Sequence, residues 1–410
     1  STPMTRRRLS LPPALLMDIQ GSFWFRHLFK FLLGLCCVVF YCEVIIYYVV
    51  LLQCTWPLLN SDSQESGIHP GSRIEVPLKV MMVADTHLLG PFRGHWFDKF
   101  RREWQMKRAF ATAMTLHQPE VVAFLGDLFD EGQWMDSVQF GRDVQRFKRI
   151  FPQGEKMRFI VAAGNHDVGF HYKMTKVLLS RFLRQFSTSS SGVELVTVHG
   201  NAFVVLNSMA LEGDHCALCD MAEKDLRTIE QTFNCSRMVH EGRPLEKLCE
   251  SLVARLPHYT RPIVLQHFPL FRPDDRACRD RDGGPVDDAY RERWEVLSKN
   301  ITARLLRMNP RAVFGGHSHQ SCSLSHDGPE GPVPEWTLAS FNWRNKNNPS
   351  FMLTVFTPNN FAVSRCSMPQ ETTVIASYCI CLLLLLIWLA VRRWRWNRYH
   401  GFVKLPLQRS

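Results

Sequence analysis

Five fragments of this chain carry residue types that can hold a cation or move a proton. They are Asp85-Thr86-His87, Gly126-Asp127-Leu128-Phe129-Asp130, Gly164-Asn165-His166-Asp167, Gln266-His267 and Gly316-His317-Ser318-His319. Carboxylate, amide oxygen and neutral imidazole are the donors that hard or borderline divalent cations take, in place of thiolate. Each fragment follows a short apolar run, at residues 80–84, 121–125, 159–163, 263–265 and 312–314. Short apolar runs bounded by Gly, Asp or Asn read as buried strands. A single Asp-x-His after a strand is ordinarily a turn. Turns have no use for Asn-His and His-x-His repeated after apolar strands in one chain.

The elements between these strand ends must bring them together. Helical spacing runs over 98–118, where Pro119 ends it, and over 137–150, 174–186, 245–256 and 290–308. Segments 193–198 and 202–207 flank His-Gly-Asn and read as a hairpin. Segment 211–243 is polar and reads as an excursion with short helices. Segment 272–288 reads as a loop. Short strands follow near 321–325, 335–338, 351–357 and 361–365. Alternation of this kind is an α/β pattern.

Two segments are too apolar for a soluble domain: 31–52, interrupted by Glu43, and 372–391. Each reaches the ~20 residues that a membrane-spanning helix needs. A cleaved signal is the alternative for the first, but its run exceeds the ~7–15 residues of a signal core. A carboxyl inside a span is costly in lipid and calls for a polar partner. The domain organisation expected is a tail (1–30), a span (31–52), a linker (53–76), a catalytic domain (77–371), a second span (372–391) and a second tail (392–410).

The net charge of +11 is concentrated at the ends. Residues 1–30 hold five Lys/Arg against one acid, and residues 391–410 hold six against none. The central part is nearly neutral, which argues against a nucleic-acid partner. Basic flanks place both termini in the cytosol and residues 53–371 in a lumen. They also favour anionic headgroups of the bilayer.

Of thirteen cysteines, five fall in the spans: 36, 37, 42, 379 and 381. Eight lie between them: 54, 216, 219, 235, 249, 278, 322 and 366. An even number suits an oxidising lumen, with pairing unreadable. Cys216-x-x-Cys219 has no second pair for zinc, so a disulfide is expected. Asn234-Cys-Ser and Asn300-Ile-Thr are glycosylation sequons on the expected lumenal side.

The ordered set of five fragments resembles the signature of the calcineurin-like metallophosphoesterases. That resemblance implies a two-sheet αββα sandwich, flanked in this chain by two transmembrane helices. It places Asp85, His87, Asp127 and His319 on one divalent metal, and Asp127, Asn165, His267 and His317 on the other. It makes a metal-bridging hydroxide the nucleophile and His166 the catalytic residue that protonates the leaving oxygen or stabilises the phosphoryl group. Asp167 would orient His166, and Asp130 would support the metal shell. The second fragment has no Tyr, which separates the chain from the purple acid phosphatases.

Stretches 94–104 and 340–351, together with the spans and cysteines, resemble the family members that remodel GPI glycans. That implies an enzyme dependent on two divalent ions, manganese by preference. It would remove the side-branch ethanolamine phosphate from the second mannose of GPI anchors and so support ER-to-Golgi export. The implied partners are GPI-anchored proteins, the bilayer and cargo-sorting receptors. The implied membranes are those of ER exit sites, the ER–Golgi intermediate compartment and the cis-Golgi. The chain ends Leu-Pro-Leu-Gln-Arg-Ser, without a di-lysine retrieval signal. The alternatives are a general lumenal phosphatase or phosphodiesterase, and a non-catalytic cargo receptor.

Substrate-side candidates are His95 and Asp98, as polar contacts or a further metal site, with a helix start capped by Asp98 as the alternative. Arg344 is a candidate for phosphate, against a surface ion pair. Trp343 suits sugar stacking or a core position equally.

Overall fold

The structure is a computed structural model and describes residues 13–59, 76–211, 215–245, 247–280, 282 and 288–401. Most of the linker expected at 53–76, and the ends of both tails, lie outside these residues. The chain divides into two units: residues 1–46 with 371–410, and residues 47–370.

In the first unit, helix α1 (Pro13–Phe40) continues through a π-helical turn (Tyr41–Ile45) toward α2 (Ile46–Leu51). The partner helix of this unit is Glu371–Gly401. Two apolar stretches, Phe25–Leu51 and Glu371–Arg398, are long enough to cross a bilayer. Gly34 lets the helices approach: a Cβ there would lie 2.8 Å from Leu385, the small-residue contact common between helices in lipid. Glu43 has the partner its position demands, since Tyr378 Oη donates to Glu43 Oε1 at 2.6 Å.

The second unit holds two sheets. The first has the order β11-β10-β1-β2-β3, with β1 (Leu78–Val83), β2 (Val121–Leu125), β3 (Arg158–Ala162), β10 (Ser350–Phe356) and β11 (Phe361–Ser367). The second has the order β4-β5-β6-β7-β9-β8, with β4 (Glu194–Val198), β5 (Asn201–Val205), β6 (Ile263–Leu265), β7 (Ala312–Gly315), β8 (Cys322–Gly328) and β9 (Gly331–Thr337). β1, β2 and β3 are parallel, as are β5, β6, β7 and β9. Parallel strands are covered on both faces, so they read as unbroken apolar runs.

Alternate residues build the layer between the sheets. Leu78, Val80 and Met82 of β1 and Val121, Ala123 and Leu125 of β2 meet Phe203, Val205, Ile263, Leu265 and Phe314. Burying each large side chain contributes roughly 1.5–3 kcal/mol. The outer face of the first sheet is closed by α4 (Ser137–Ile150), whose Phe147 packs on Phe124 at 5.2 Å between ring centroids. Asp136 caps α4 by accepting from Val138 N and Gln139 N. The expected αββα sandwich is therefore the observed fold.

Three expectations about helices need correction. Segment 211–243 does not hold short helices; it forms one helix, α7 (Ala217–His240), capped by Cys216 and buried along Ala222, Leu226, Ile229 and Phe233. Its charged face hid that stripe. Segment 290–308 is helical only over α9 (Lys299–Arg307), where Ser298 caps it. Upstream, Arg293 has φ +73° and ends any helix, leaving a tight turn at Trp294. Segment 245–256 is helical only at α8 (Cys249–Val253). Both sequons lie on helices, Asn234 on α7 and Asn300 on α9, and both residues are exposed.

Candidate metal centre

The five strand ends meet at one edge of the two sheets. Asp85, His87, Asp127 and His319 bring ligand atoms within 4.8 Å of one another, as do Asp127, His267 and His317. Asn165 joins the second group, with its Oδ1 3.1 Å from His267 Nε2. Asp127 belongs to both groups. All are buried except His317 and His319, which are partly exposed.

The backbone is bent to make this possible. Asp85, His87, Asp127, His317 and His319 have φ of +54°, +41°, +51°, +71° and +58°. Side chains other than glycine visit this left-handed region at a cost of roughly 1 kcal/mol or more. The turns are pinned by Asp85 N→Gly126 O at 3.2 Å and His87 N→Asp127 O at 2.9 Å. The glycines beside them make room. A Cβ at Gly164 would strike the Asp127 carboxylate, and one at Gly316 would lie 2.6 Å from Asp85 Oδ2.

Hydrogen bonds select which imidazole nitrogen faces the cluster. His267 Nδ1 bonds Leu125 O at 2.8 Å, leaving Nε2 inward. His317 Nε2 bonds Trp294 O at 2.8 Å, leaving Nδ1 inward. His87 turns Nδ1 toward Asp130 Oδ1 at 3.2 Å, leaving Nε2 inward. Such outer partners fix the tautomer of a metal-binding histidine.

The residues fit a pair of cations. His87 Nε2 lies 3.1 Å from His319 Nε2, and His317 Nδ1 lies 3.2 Å from His267 Nε2. Two facing ring nitrogens can share only one proton. Asp127 Oδ2 is buried with no hydrogen bond. A cation between the nitrogens and the carboxylates satisfies all of them at once.

With protein groups alone, protons take that place. Burial disfavours the charged form of His87, but Asp130, Asp85 and Asp127 outweigh it and raise its pKa to about 10. Burial likewise opposes charge on His267, and Asp127 and Asp85 raise it to about 9. Burial and the charge on His267 push His317 down to about 3. Asp85 is buried too, yet His319, His87 and His267 hold it well below the usual carboxylate range.

His166 lies beside this cluster, its ring centroid 4.8 Å from that of His87. Its Nδ1 bonds Asp130 O at 2.7 Å, which leaves Nε2 available to a substrate. Asp167 does not orient it. The Asp167 carboxylate accepts from Phe129 N and Gly164 N, both at 2.9 Å, and so ties two strand-end loops together. The orienting group is the backbone of Asp130. The Asp130 side chain faces His87 and also pairs with Arg344 at 2.9 Å. Arg344 is thus anchored at the rim of the site.

The other substrate-side candidates are elsewhere. His95 caps helix α3 (Trp96–His117), accepting from Phe97 N, and Asp98 pairs with Arg102 at 2.6 Å. Neither joins the cluster, and the cap is His95 where Asp98 was expected. Trp343 is buried, with Nε1 donating to Pro369 O at 2.7 Å, so it is a core aromatic. Its neighbour Asn342 supports the first fragment by donating to Thr86 O at 2.6 Å.

Sequence reasoning missed the rim aromatics and Ser208. Phe170, Tyr172 and Trp294 pack together beside His317, with Tyr172 and Trp294 strongly exposed. Ser208 Oγ accepts from His267 N at 3.2 Å. Ser208 follows β5 closely, as the five fragments follow their strands, and that position was the available signal. A cleft of about 290 Å³ opens next to His317, lined by Asp275, Asp288, Tyr290, Glu295 and Gln320.

The chain belongs to the calcineurin-like phosphoesterase family, whose sequence model matches residues 78–321. It is a metal-dependent phosphoesterase. Among curated proteins it is similar to metallophosphoesterase 1 of Danio rerio, 43% identical over 352 residues, covering 85% of this chain and 87% of that one. Metallophosphoesterase 1 of Ailuropoda melanoleuca is 44% identical over 358 residues, 86% of each chain. Among solved structures, a dimetal phosphatase from Danio rerio matches 71% of this chain and 99% of its own at 11% identity. Its TM-score is 0.37, too weak a likeness to argue from.

Proposed function

We propose that this phosphoesterase removes the ethanolamine phosphate branch from the second mannose of GPI anchors. The observation that carries this reading is the chemistry of the rim. Arg344 offers a guanidinium for phosphate. Tyr172 and Trp294 offer exposed aromatic faces suited to a sugar ring. The cleft beside His317 is lined by Asp275, Asp288 and Glu295 with no Lys or Arg, which suits the ammonium of ethanolamine. The two apolar helices support a membrane location, where lipid-linked glycans pass at high effective concentration.

In this reading Asp85, His87, Asp127 and His319 hold one divalent ion, and Asp127, Asn165, His267 and His317 hold the other. Bound there, two manganese ions would supply Lewis acidity to the phosphoryl oxygens and lower the pKa of a water. Water adds to phosphorus, the bond from phosphorus to the mannose oxygen breaks, and His166 Nε2 gives that oxygen a proton. Asp130 holds His166 through its carbonyl and Arg344 through its carboxylate. The products are ethanolamine phosphate and a free mannose hydroxyl. Residues 53–371 face the lumen of ER exit sites, the intermediate compartment and the cis-Golgi. Trimming there supports export of GPI-anchored proteins, with cargo-sorting receptors as further partners.

The test is mass spectrometry of GPI glycans treated with the purified full-length enzyme and Mn²⁺. The second-mannose branch should disappear while the third-mannose bridge to protein survives. Hydrolysis of simple phosphoesters with no action on this branch would overturn the reading in favour of a general lumenal phosphatase. No hydrolysis of any phosphoester would favour a cargo receptor.

A further inference from the structure

Six of the cysteines outside the apolar helices form disulfides: Cys216–Cys219, Cys235–Cys249 and Cys278–Cys322. Bonds of this kind persist in oxidising compartments. Five free cysteines lie in the apolar helices, at 36, 37, 42, 379 and 381. Two remain, Cys54 and Cys366. Their thiols share a side-chain hydrogen bond although 312 residues separate them in sequence.

The surroundings hold them in register. Trp56 Nε1 donates to His117 O at 3.1 Å, which fastens the segment just after Cys54 to the end of α3. The His117 ring lies 6.4 Å from Phe351. Phe351 is the β10 residue paired with Cys366 of β11. Cys366 is fully buried, while Cys54 is partly exposed. None of the groups that could hold a metal ion includes either residue.

We infer that Cys54 and Cys366 form a fourth disulfide, which closes the catalytic unit into a covalent loop between its first and last segments. The hydrogen bond from Cys366 lowers the Cys54 pKa against burial, so Cys54 is the thiol that reacts first. Its thiolate attacks the disulfide of a lumenal thiol–disulfide oxidoreductase and forms a mixed disulfide. Cys366 then attacks Cys54 Sγ and expels the oxidoreductase thiolate. The oxidant ends as two thiols carrying the two protons and two electrons that the cysteines lost.

The experiment uses the full-length protein with a protease site inserted between residues 60 and 75. Free thiols are alkylated, the protein is cut, and the pieces are run in SDS, so that only a covalent bond joins them. The wild-type fragments should stay together without reductant and separate with it. In Cys54→Ser and Cys366→Ser they should separate without reductant, with metal-dependent hydrolysis retained as the readout of folding. Separation of the wild-type fragments without reductant, with both cysteines recovered alkylated, overturns the inference. So does a linkage that survives in Cys366→Ser, since it would run through another cysteine. If the serine variants lose hydrolysis, mass mapping of the linked peptide in the unreduced wild-type protein decides the question alone.

Discussion

Asp130→Asn isolates the role of a side chain that binds no cation itself. The native carboxylate, 1% exposed, serves two positive partners, His87 Nδ1 at 3.2 Å and Arg344 at 2.9 Å. An amide offers one acceptor oxygen, so one of the two must face an NH₂ group. If the amide oxygen stays with Arg344, His87 Nδ1 meets a donor and the ring is driven toward the tautomer with hydrogen on Nε2. That is the nitrogen the first metal needs. A partner of this kind is worth about 10–100-fold in metal affinity, or about 1.4–2.7 kcal/mol. Leaving the buried donor unsatisfied costs roughly 1–3 kcal/mol, which agrees in size. The assay strips the full-length enzyme with chelator and back-titrates with Mn²⁺, reading metal content and hydrolysis together. One metal should weaken by 10–100-fold, with turnover largely restored at saturation. Asp98→Asn, which breaks only the exposed pair with Arg102, should leave both metals unchanged. An unaltered metal affinity in Asp130→Asn would refute the argument that Asp130 sets the His87 tautomer.

Three further outcomes are expected. His166→Ala should keep both metals and lose about 10²–10⁴ in turnover, as removal of a general acid does; near-normal turnover would remove His166 from the mechanism. Metal binding must displace protons that the carboxylates hold on His87 and His267 up to about 10 and about 9, so affinity should rise with pH by up to about tenfold per displaced proton per unit. Calorimetry at pH 6.5 to 8.5 in buffers of different ionisation heat checks this, and a pH-independent affinity contradicts it. Protease added to sealed microsomes should spare residues 53–371 and trim the tails; digestion of the central unit without detergent reverses the proposed orientation.

The strand ends were legible because parallel strands covered on both faces leave unbroken apolar runs, and the residues just past them stand out. β2 and β6 fall where the runs at 121–125 and 263–265 placed them. The helix pattern was legible where one face is strongly apolar, as at α4. It failed at α7, whose mixed surface masked a buried stripe, and at 290–297, where a left-handed Arg293 turns the chain so that Trp294 O reaches His317. Contacts made by backbone carbonyls carry no residue signature, so the partners of His166, His267 and His317 could not be read from side-chain types. Asp167 was misassigned for the complementary reason. Its place beside His166 in sequence suggested a contact, but its carboxylate turns to cap two loops.

The left-handed backbone at Asp85, His87, Asp127, His317 and His319 bears on how inactivating variants would be noticed. Glycine adopts that conformation without strain. Replacing any of these residues with glycine removes a metal donor and at the same time relaxes the turn and deletes a buried polar group. Such a protein would accumulate normally in a cell while doing nothing. A survey that scores variants by abundance would rank these positions as tolerant. Only a survey that scores turnover would find them.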